Sequence, residues 1–539
     1  MDPRVPGSAR TGETPPAAVV VLAAGEGTRM RSATPKVLHD ICGRSLVGHV
    51  LAAARELEPE QVVVVVGHGR EQVAAHCAAV DPAARTAVQH EQRGTGHAVR
   101  VGLEELHGTR ADAAGAAANG SGAVPAVAGT VVVVCGDTPL LTGETLQRLA
   151  WAHTADGNAV TVLTARVPDA TGYGRIVRDE ASGAVLAIVE HKDATEEQRE
   201  IQEINSGVFA FDGRLLAEAL GRVRADNSQG EEYLTDVLGI LRAQGHRVGA
   251  AVADDHREIV GINNRVQLAE ARRILNDRLL ERAMLAGVTV VDPASTWVDA
   301  TVTFGQDVIV HPGTQLIGAT HLAEGCEVGP HSRLTDTLVG AGARVHTAVT
   351  DAAEVGAGAS VGPYAYLRPG TRMGPKAKAG TYVEMKNASI GEGTKVPHLS
   401  YVGDATIGAF TNIGAASVFV NYDGQEKHHT TVGSHCRTGS DNMFVAPVTV
   451  GDGAYTAAGS VITKNVPPGA LAVARGQQRN IDGWVERKRP GSAAAKAAEA
   501  AQDAAPGEQA PESARSAGAG GAEAARAAGG TGGGSDNGV

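Results

Sequence analysis

Hydrophobic runs and helical stretches alternate from residue 18 to about residue 262. The runs AVVVLAAG, QVVVVVGHG, TVVVVCGD and AVTVLTARV are apolar over most of their length, which is typical of strands buried on both faces of a sheet. Helical stretches such as residues 45–57 and 144–155 lie between them. The alternation predicts a mainly parallel, doubly wound α/β domain. The Ala- and Gly-rich segment 107–129 interrupts it, and we interpret this segment as a mobile surface loop.

One long helix is predicted next, over residues 264–286. Val266, Ala269, Ile274, Leu279 and Met284 recur near helical spacing with charged residues between them. A glycine follows at position 287, where it would end the helix. We interpret this segment as a rigid connector.

A six-residue period then appears, from about residue 297 to 467. Its mark is an aliphatic residue followed by glycine, at Val328, Val355, Val361, Ile390, Val402, Ile407, Ile413, Val432 and Val450. One aliphatic per six residues, with small residues at the turns, predicts a parallel β-helix built of hexapeptide repeats. A Gly-rich linker is the alternative, but a linker would not hold aliphatic residues in register over so long a stretch.

Composition supports this division of the chain. Glycine accounts for 69 of the 539 residues and aromatic residues for only 3%, which fits a narrow coil with little room for rings. The two ends have little apolar surface to bury and are expected to be disordered. Five segments are therefore predicted: a disordered N-terminus (1–17), the α/β domain (18–263), the linker helix (264–287), the β-helix domain (288–489) and a disordered tail (490–539).

Charge and hydropathy argue against two kinds of partner. Lys and Arg number 48 against 60 Asp and Glu, a net charge of −12, whereas nucleic-acid binding needs a basic footprint. No run approaches the roughly 20 apolar residues that cross a membrane, and the first residues do not form a signal peptide. The five cysteines are scattered and form no C-x-x-C pair, as expected of a reduced, cytoplasmic protein without structural zinc.

The first candidate site is the Gly-rich turn at residues 22–30, directly after the first predicted strand. Small residues there let backbone amides approach a phosphate. The turn matches neither the dinucleotide fingerprint nor the Walker A loop. Arg29 and Lys36 follow it and could clamp a triphosphate. A tight turn without function remains the alternative.

The second candidate is Asp137, at the end of the strand that finishes in Val-Cys-Gly-Asp. Ligands of open α/β sheets bind at the carboxyl ends of strands, and Mg²⁺ prefers carboxylate oxygens together with phosphates. Taken alone, Asp137 is equally suited to cap a helix.

The third candidate is a cluster of charged and aromatic residues within the predicted β-helix. Arg368 and Lys386 could bind the phosphate of a sugar. Histidine is the side chain that most often acts as a general base, and His398 suits that role. Such residues are costly in a coil of small residues, and their clustering indicates a site.

Seven motifs then follow one another in a fixed order: LAAGEGTRM…PKVLH, QHEQRGTGHA, CGDTPL, TGYGRI, VEHKDA, EINSGVF and GINNR. The series resembles the sugar-1-phosphate nucleotidyltransferases. With the repeats behind it, residues 18–489 resemble the family of bacterial bifunctional N-acetylglucosamine-1-phosphate uridylyltransferases and glucosamine-1-phosphate acetyltransferases. The resemblance implies a Rossmann-like nucleotidyltransferase domain, a left-handed parallel β-helix, a homotrimer with acetyl-transfer sites at the subunit seams, and a role in peptidoglycan and cell-wall synthesis.

The resemblance also implies the substrates, which are glucosamine 1-phosphate, N-acetylglucosamine 1-phosphate, UTP and acetyl-CoA, with Mg²⁺ as cofactor. Asp137 and Asn263 would bind the metal. The other residues implied for uridylyl transfer are Leu22, Ala23, Ala24, Gly25, Arg29 and Lys36 at the nucleotide phosphates and base, Gln89, Gly94 and Thr95 at the uracil, Cys135 and Gly136 beside the aspartate, and Gly174, Glu190 and Asn205 at the sugar.

For acetyl transfer the resemblance implies that His398 is the base acting on the 2-amino group. The sugar phosphate would be held by Arg368, Lys386, Tyr401 and Asn412, and acetyl-CoA by Ala415, Asn421, Tyr422, Ser440, Ala458 and Arg475. Position 416 is alanine where the family usually has glycine, which puts the acetyl-CoA contact there in doubt.

Three other functions remain open from the sequence. The first is a nucleotidyltransferase for a different sugar whose β-helix only trimerises. The second is a nucleotide-binding module with a regulatory β-helix and no catalytic activity. The third is a purely structural solenoid, which the α/β half of the chain contradicts.

Overall fold

The computed structural model describes residues 14–114, 124–227 and 229–504. The chain divides into two compact units, residues 1–474 and 475–539. The first unit contains a mixed sheet, a long helix and a coil of short parallel strands. The second contributes two described helices.

The first half of the chain folds around a nine-stranded sheet whose main path runs β11-β7-β10-β6-β1-β4-β5, with β8 paired to β10 and β9 paired to β8. Helices cover it on both sides. A two-stranded hairpin, β2 with β3, lies outside it. The strands are β1 Ala18–Ala23, β2 Asp40–Ile41, β3 Arg44–Ser45, β4 Gln61–Val66, β5 Arg85–Val88, β6 Thr130–Cys135, β7 Val160–Arg166, β8 Arg175–Arg178, β9 Val185–Val189, β10 Glu203–Asp212 and β11 Val248–Val252.

The central strands are apolar on both faces because both faces are covered. Val19 and Val21 of β1 lie in one hydrophobic cluster and Val20 in the other. Leu22 pairs in parallel register with Val65 on one side and Cys135 on the other. The carboxyl ends of β1 and β6 are therefore adjacent, and the two loops that follow them meet. The predicted doubly wound α/β domain is confirmed.

One strand on the main path of the sheet runs against its neighbours. β10 pairs antiparallel with both β6 and β7, whereas β1, β4, β5 and β6 pair in parallel. The sequence reveals its motif, EINSGVF, but not its direction, because a buried strand has the same apolar pattern either way.

The helices are α1 Leu46–Arg55, α2 Arg70–Val80, α3 Thr95–Ala114, α4 Gly143–Ala155, α5 Glu196–Arg199, α6 Gly213–Leu220, α7 Asp236–Ala243, α8 Arg265–Leu285, α9 Trp484–Lys488 and α10 Ala493–Ala504, with 3-10 turns at Thr28–Met30, Lys36–Leu38, His256–Ile259 and Pro293–Ser295. The predicted connector is α8, capped by the Asn264 side chain on the amide of Gln267. The prediction of a loop from residue 107 is wrong as far as Ala114, because α3 continues through it; residues 115–123 lie outside the described residues.

After α8 the chain winds into a left-handed parallel β-helix with three faces. Face one contains the strands Thr289–Val290, Ile309–Val310, Glu327–Val328, Arg344–Val345, Ser360–Val361, Lys378–Thr381, Lys395–His398, Tyr455–Thr456 and Leu471–Ala472. Face two contains the strands Trp297–Val298, Gln315–Ile317, Arg333–Thr335, Val349–Asp351, Tyr366–Leu367, Val418–Val420, Met443–Val445 and Val461–Ile462. Face three contains the strands Thr303–Phe304, His321–Leu322, Leu338–Val339, Glu354–Val355, Arg372–Met373, Thr430–Val432 and Val448–Val450, and two longer strands, Glu384–Ile390 and Tyr401–Ile407, run from face two onto face three.

The predicted repeat is confirmed by the register of the coil. Trp297 lies beside Gln315 and Thr303 beside His321, so one coil takes three six-residue repeats. Aliphatic side chains fill the interior. Buried threonines complete it: the hydroxyls of Thr371 and Thr411, for example, donate to carbonyls of the coil. These bonds satisfy backbone groups that would otherwise be buried without a partner.

Two aromatic rings occupy the coil interior, contrary to the expectation that it excludes them. Phe419 and Phe444 are fully buried on successive coils, with ring centroids 4.9 Å apart. Both belong to face two, where Phe419 pairs with Phe444 in register. Their stacking fills the interior just beyond the cluster of charged and aromatic residues.

Order extends further at both ends than predicted. At the N-terminal side, Ala17 is buried and its amide donates to Thr130, so disorder over 1–17 is wrong at this residue. At the C-terminal side, Ala493–Ala504 is helical, because alanine has the highest helix propensity even where there is little to bury. Residues 1–13 and 505–539 lie outside the described residues.

The aromatic pair in the coil generates a prediction about stability. Phe419→Ala should lower the free energy of unfolding by about 3–5 kcal/mol, the usual cost of emptying a buried phenylalanine site. Chemical denaturation of the full chain measures it. Val291→Ala, at a half-exposed position in the first turn of the β-helix, is the control and should change stability little. Equal stability of both variants would contradict the buried stack.

Candidate functional site

The Gly-rich turn places Lys36 over the carboxyl end of the sheet. Gly27 has φ +65°, and a Cβ there would lie 2.5 Å from Cβ of Lys36. Only glycine allows both the left-handed backbone and this close approach. The backbone of the turn at Gly27 therefore packs directly against Cβ of Lys36.

Four side chains from three distant segments converge beside this turn. Lys36 Nζ lies 2.5 Å from Oδ2 of Asp137 and 3.4 Å from Oδ1 of Asn263. Arg29 Nη2 donates to the same Asn263 oxygen at 2.9 Å. The backbone joins the segments as well, since the amide of Ile262 donates to the carbonyl of Asp137. The two predicted cations and the two predicted metal ligands thus form one cluster.

This geometry removes the capping alternative for Asp137. The N-cap of α4 is Thr142, whose hydroxyl accepts from the amide of Thr145. Asn263 does not cap α8 either, because that position belongs to Asn264. Both side chains point instead toward the ammonium of Lys36.

Asp137 and Asn263 fit a magnesium ion by the chemistry of their donors. A carboxylate oxygen and an amide oxygen already converge on one cationic group, the Lys36 ammonium. Mg²⁺ prefers such hard oxygens and typically takes one or two protein ligands, with phosphates and water completing its octahedron.

A second loop lies on the other side of the turn. Gln89 donates through Nε2 to the carbonyl of Gly94 at 3.2 Å. Gln92 Nε2 donates to the carbonyl of Ala24 at 2.7 Å, which ties this loop to the Gly-rich turn. Gln89, Gly94 and Thr95 are therefore brought beside the segment 22–25, as the resemblance implies.

The strand ends beneath the cluster are fixed by backbone bonds. The amide of Gly136 donates to the carbonyl of Leu22 at 2.8 Å. The thiol of Cys135 lies 3.6 Å from the carbonyl of Gly207, and burial raises the pKa of this thiol to about 12. Cys135 is thus protonated at neutral pH.

The three residues expected at the sugar lie together on the far side of the sheet edge. The amide of Asn205 donates to the carbonyl of Gly174 at 2.8 Å. A Cβ on Gly174 would lie 3.4 Å from both carboxylate oxygens of Glu190. Burial, together with the nearby carboxylates of Asp193 and Asp236, raises the pKa of Glu190. The Thr235 hydroxyl lies 3.5 Å from Oε1 of Glu190.

In the β-helix, Arg368 and Lys386 lie on adjacent coils. Arg368 Nη1 donates to Oε1 of Glu384 at 2.9 Å. The ammonium of Lys427 lowers the pKa of Lys386, with a further contribution from burial. Lys427 belongs to the loop 421–429, which leaves the coil and returns. Three cationic side chains therefore face one region of the surface, as an anion site requires.

A ladder of polar side chains supports this cationic group. Asn387 and Asn421 both donate to Asp404, at 2.8 Å to Oδ1 and 2.5 Å to Oδ2. Burial alone would raise the pKa of Asp404, but these two hydrogen bonds and the charge of Lys386 lower it. Asn421 also lies 3.4 Å from the hydroxyl of Tyr401. Asp404 and Lys427 were missed by the sequence analysis; for Lys427, the loop that breaks the six-residue period was the available signal.

His398 stands at the corner where face one ends. Its carbonyl accepts from the Ser400 hydroxyl and from the amide of Ala416. Its exposed ring has no hydrogen-bond or ion-pair partner within residues 14–114, 124–227 and 229–504. Position 416 has φ +57°, a left-handed backbone conformation that favours glycine, and alanine occupies it here.

The remaining predicted residues lie further along the chain than His398. Asn412 pairs with Lys395 and Arg437, the carbonyl of Ala415 accepts from Asp441, and that of Ser440 accepts from Gly459. The Tyr422 ring is exposed on the 421–429 loop. Ala458 lies on the next coil. Arg475 begins the second unit.

Comparison with known proteins agrees with both halves of this architecture. Residues 19–286 match the MobA-like NTP transferase domain. The chain is 81% identical to the bifunctional protein GlmU of Streptomyces avermitilis over 482 residues, which cover 89% of this chain and 96% of the relative. It is 62% identical to the bifunctional protein GlmU of Thermobifida fusca over the same shares of both chains. The chain belongs to the GlmU family. Among the described residues, no helix is long and apolar enough to span a membrane.

The contact between Gly27 and Lys36 generates a prediction about nucleotide transfer in this family member. Gly27→Ala should lower the rate by about 10²-fold, because the added methyl group displaces the lysine from Asp137. Gly157→Ala is the control: its φ is +62°, but nothing lies within 4 Å of the added Cβ. Steady-state rates of both purified variants provide the measurement. If Gly27→Ala and Gly157→Ala lose equal activity, backbone strain alone explains the loss.

Proposed function

We propose that this GlmU-family enzyme acetylates glucosamine 1-phosphate at His398 and transfers uridylyl from UTP to the product at Asp137 and Lys36. The family makes the chain a bifunctional acetyltransferase and uridylyltransferase. The convergence of Lys36, Arg29, Asp137 and Asn263 is the observation that carries the uridylyl assignment.

Uridylyl transfer depends mainly on how the protein positions the two substrates and offsets the charge of their phosphates, and much less on covalent chemistry by the protein. The phosphate oxygen of N-acetylglucosamine 1-phosphate attacks the α-phosphorus of UTP in line, and the bond to the pyrophosphate leaving group breaks. Lys36 and Arg29 offset the negative charge of the phosphates. Glu190, Gly174 and Asn205 hold the sugar, while Gln89, Gly94 and Thr95 hold the uracil. Mg²⁺, when held by Asp137 and Asn263, supplies further neutralisation of phosphate charge.

Acetyl transfer needs a base and an anion site. The 2-amino nitrogen attacks the thioester carbon of acetyl-CoA, and the C–S bond breaks to release CoA. His398 takes the proton that the nitrogen loses. Arg368, Lys386 and Lys427 bind the phosphate, Tyr401 and Asn412 hold the sugar, and Ala415, Asn421, Tyr422, Ser440, Ala458 and Arg475 line the acetyl-CoA site. Acetyl transfer draws on acetyl-CoA and uridylyl transfer on UTP, and a shared need for these two metabolites supports a cytoplasmic location and a role in cell-wall precursor synthesis.

We also propose that the enzyme is a homotrimer assembled through face two and the corner beside it. Half-exposed apolar side chains concentrate there, at Val349, Tyr364, Tyr366, Tyr382, Leu399 and Met443. The rings of Tyr364 and Tyr382 stack with centroids 5.3 Å apart. Leu399 adjoins His398, whose ring is open to solvent in a single chain. A neighbouring subunit on this surface would therefore complete the acetyl-transfer site.

The two reactions should separate by residue. Asp137→Ala should lower uridylyl transfer by at least about 10²-fold through loss of a strong electrostatic group, with acetyl transfer retained. His398→Ala should lower acetyl transfer by about 10²–10⁴-fold, with uridylyl transfer retained. Raising the pH should partly rescue His398→Ala, because more of the substrate amine is then neutral. Product analysis by mass spectrometry, omitting each substrate in turn, measures both reactions.

Loss of both activities in either folded variant would contradict the two-site assignment. If His398→Ala keeps full acetyl transfer, the base lies elsewhere.

The proposed assembly surface gives a separate prediction. Tyr382→Asp should convert the trimer into smaller species and reduce acetyl transfer, because a charge is placed in an apolar seam. Leu338→Asp, at a half-exposed site on face three, should leave both unchanged. Sedimentation velocity gives the assembly state. If the Tyr382→Asp enzyme is still trimeric, the subunit interface lies on another face.

A further inference from the structure

The segment 232–235, which we call the strap, lies directly against the loop expected to bind uracil. The amide of Glu232 donates to the carbonyl of Arg93 at 2.7 Å, and the amide of Gly96 donates to the carbonyl of Glu232 at 2.8 Å. The amide of Leu234 donates to the hydroxyl of Thr95 at 3.0 Å. Three hydrogen bonds over four loop residues fix the path of this loop.

The backbone of the loop at Gly94 and the backbone of the strap approach each other more closely than a side chain at position 94 would allow. A Cβ at Gly94 would lie 2.5 Å from the carbonyl oxygen of Glu232, and the backbone there has φ +110°. Glycine at position 94 is therefore required for the strap to dock, independently of any contact with a nucleotide.

The Glu232 side chain is the charged centre of this contact. It is only 5% exposed and accepts from Arg93 through Oε1 and from Arg100 through Oε2, the latter at 2.7 Å. Arg100 belongs to α3 and also donates to the carbonyl of Leu220. A buried carboxylate between two guanidinium groups is held firmly, and its removal would leave buried cationic charge uncompensated. The ion pairs therefore fasten the loop to α3 and to the strap together.

The other end of the strap reaches the sugar side of the site. The Thr235 hydroxyl lies 3.5 Å from Oε1 of Glu190. One short segment thus contacts both the loop expected at the nucleotide base and the carboxylate expected at the sugar.

We propose that Glu232 is a positioning residue for uridylyl transfer: its buried ion pairs with Arg93 and Arg100 hold the loop of Gly94 and Thr95 in the conformation that selects uracil. This inference rests on the proposed binding of UTP by that loop. Glu232 does not touch the reacting atoms; it acts through the loop backbone.

Glu232→Gln in the full-length enzyme tests the proposal, because it keeps the size of the side chain and removes its charge. The KM for UTP should rise by at least about tenfold, since a displaced loop loses aligned contacts, whereas kcat at saturating UTP should change much less. The preference for UTP over CTP should fall, and acetyl transfer should be unaffected. A purely structural effect would not alter the choice between two pyrimidine bases.

Asp81→Asn is the matched control. Asp81 is 11% exposed and accepts from Nε and Nη2 of Arg55, so the variant also removes a largely buried charge pair, but away from the loop. It should keep wild-type KM and base preference.

If Glu232→Gln does not fold, Arg93→Gln replaces it, because the Arg93 side chain is about half exposed and its loss is milder. The same direction of change in UTP KM and base preference is expected. Wild-type values in folded Glu232→Gln, or in Arg93→Gln in its place, would overturn the role of Glu232. A wild-type enzyme that forms no UDP-sugar from UTP would instead contradict the proposed function.

Discussion

The parallel register of the β-helix is the constraint on which its functional surface depends. Residues a full coil apart become neighbours only while every intervening corner keeps its length. Asp404 shows the consequence: it accepts from Asn387 one coil below and from Asn421 one coil above. Inserting or deleting one residue between these positions would turn one of the side chains to the opposite face of its strand. The cationic group of Arg368, Lys386 and Lys427 rests on this ladder.

The loop 421–429 adds a surface loop to the regular β-helix without changing the register of the strands around it. Val418 pairs with Met443, whereas the preceding step pairs Tyr401 with Val418, so the loop lengthens one coil without shifting the strands. The fully buried pair Phe419 and Phe444 lies in the strands on either side of it. Their packing anchors the coil where the chain leaves and returns, and this leaves the loop free to carry Tyr422 and Lys427 at the surface.

Most of the architecture could be predicted from the sequence because it follows from local periodicity. Apolar runs gave β1, β4, β6 and β7, and the six-residue repeat gave the coil. Features that depend on distant pairing were not predictable. The direction of β10 depends on its pairing with β6 and β7, and the ion pairs of Glu232 join residues more than a hundred positions apart; no local pattern marks either feature. The convergence of Asn263 on Lys36 was implied only by the family resemblance. The helix Ala493–Ala504 was missed for the opposite reason, because helix propensity alone is sufficient where burial is not required.

The two candidate sites are built by different physical means, and we therefore expect them to work independently. The nucleotide site is assembled from loops at the carboxyl ends of parallel strands, where three separate segments meet and Arg29 and Lys36 can neutralise phosphates. The β-helix presents its side chains from rigid, stacked strands, so their positions follow from the coil and not from loop closure. Lys36 and Asp137 share no contact with the ladder around Asp404 among the described residues. We therefore expect a substitution in one cluster to affect mainly the reaction at its own site.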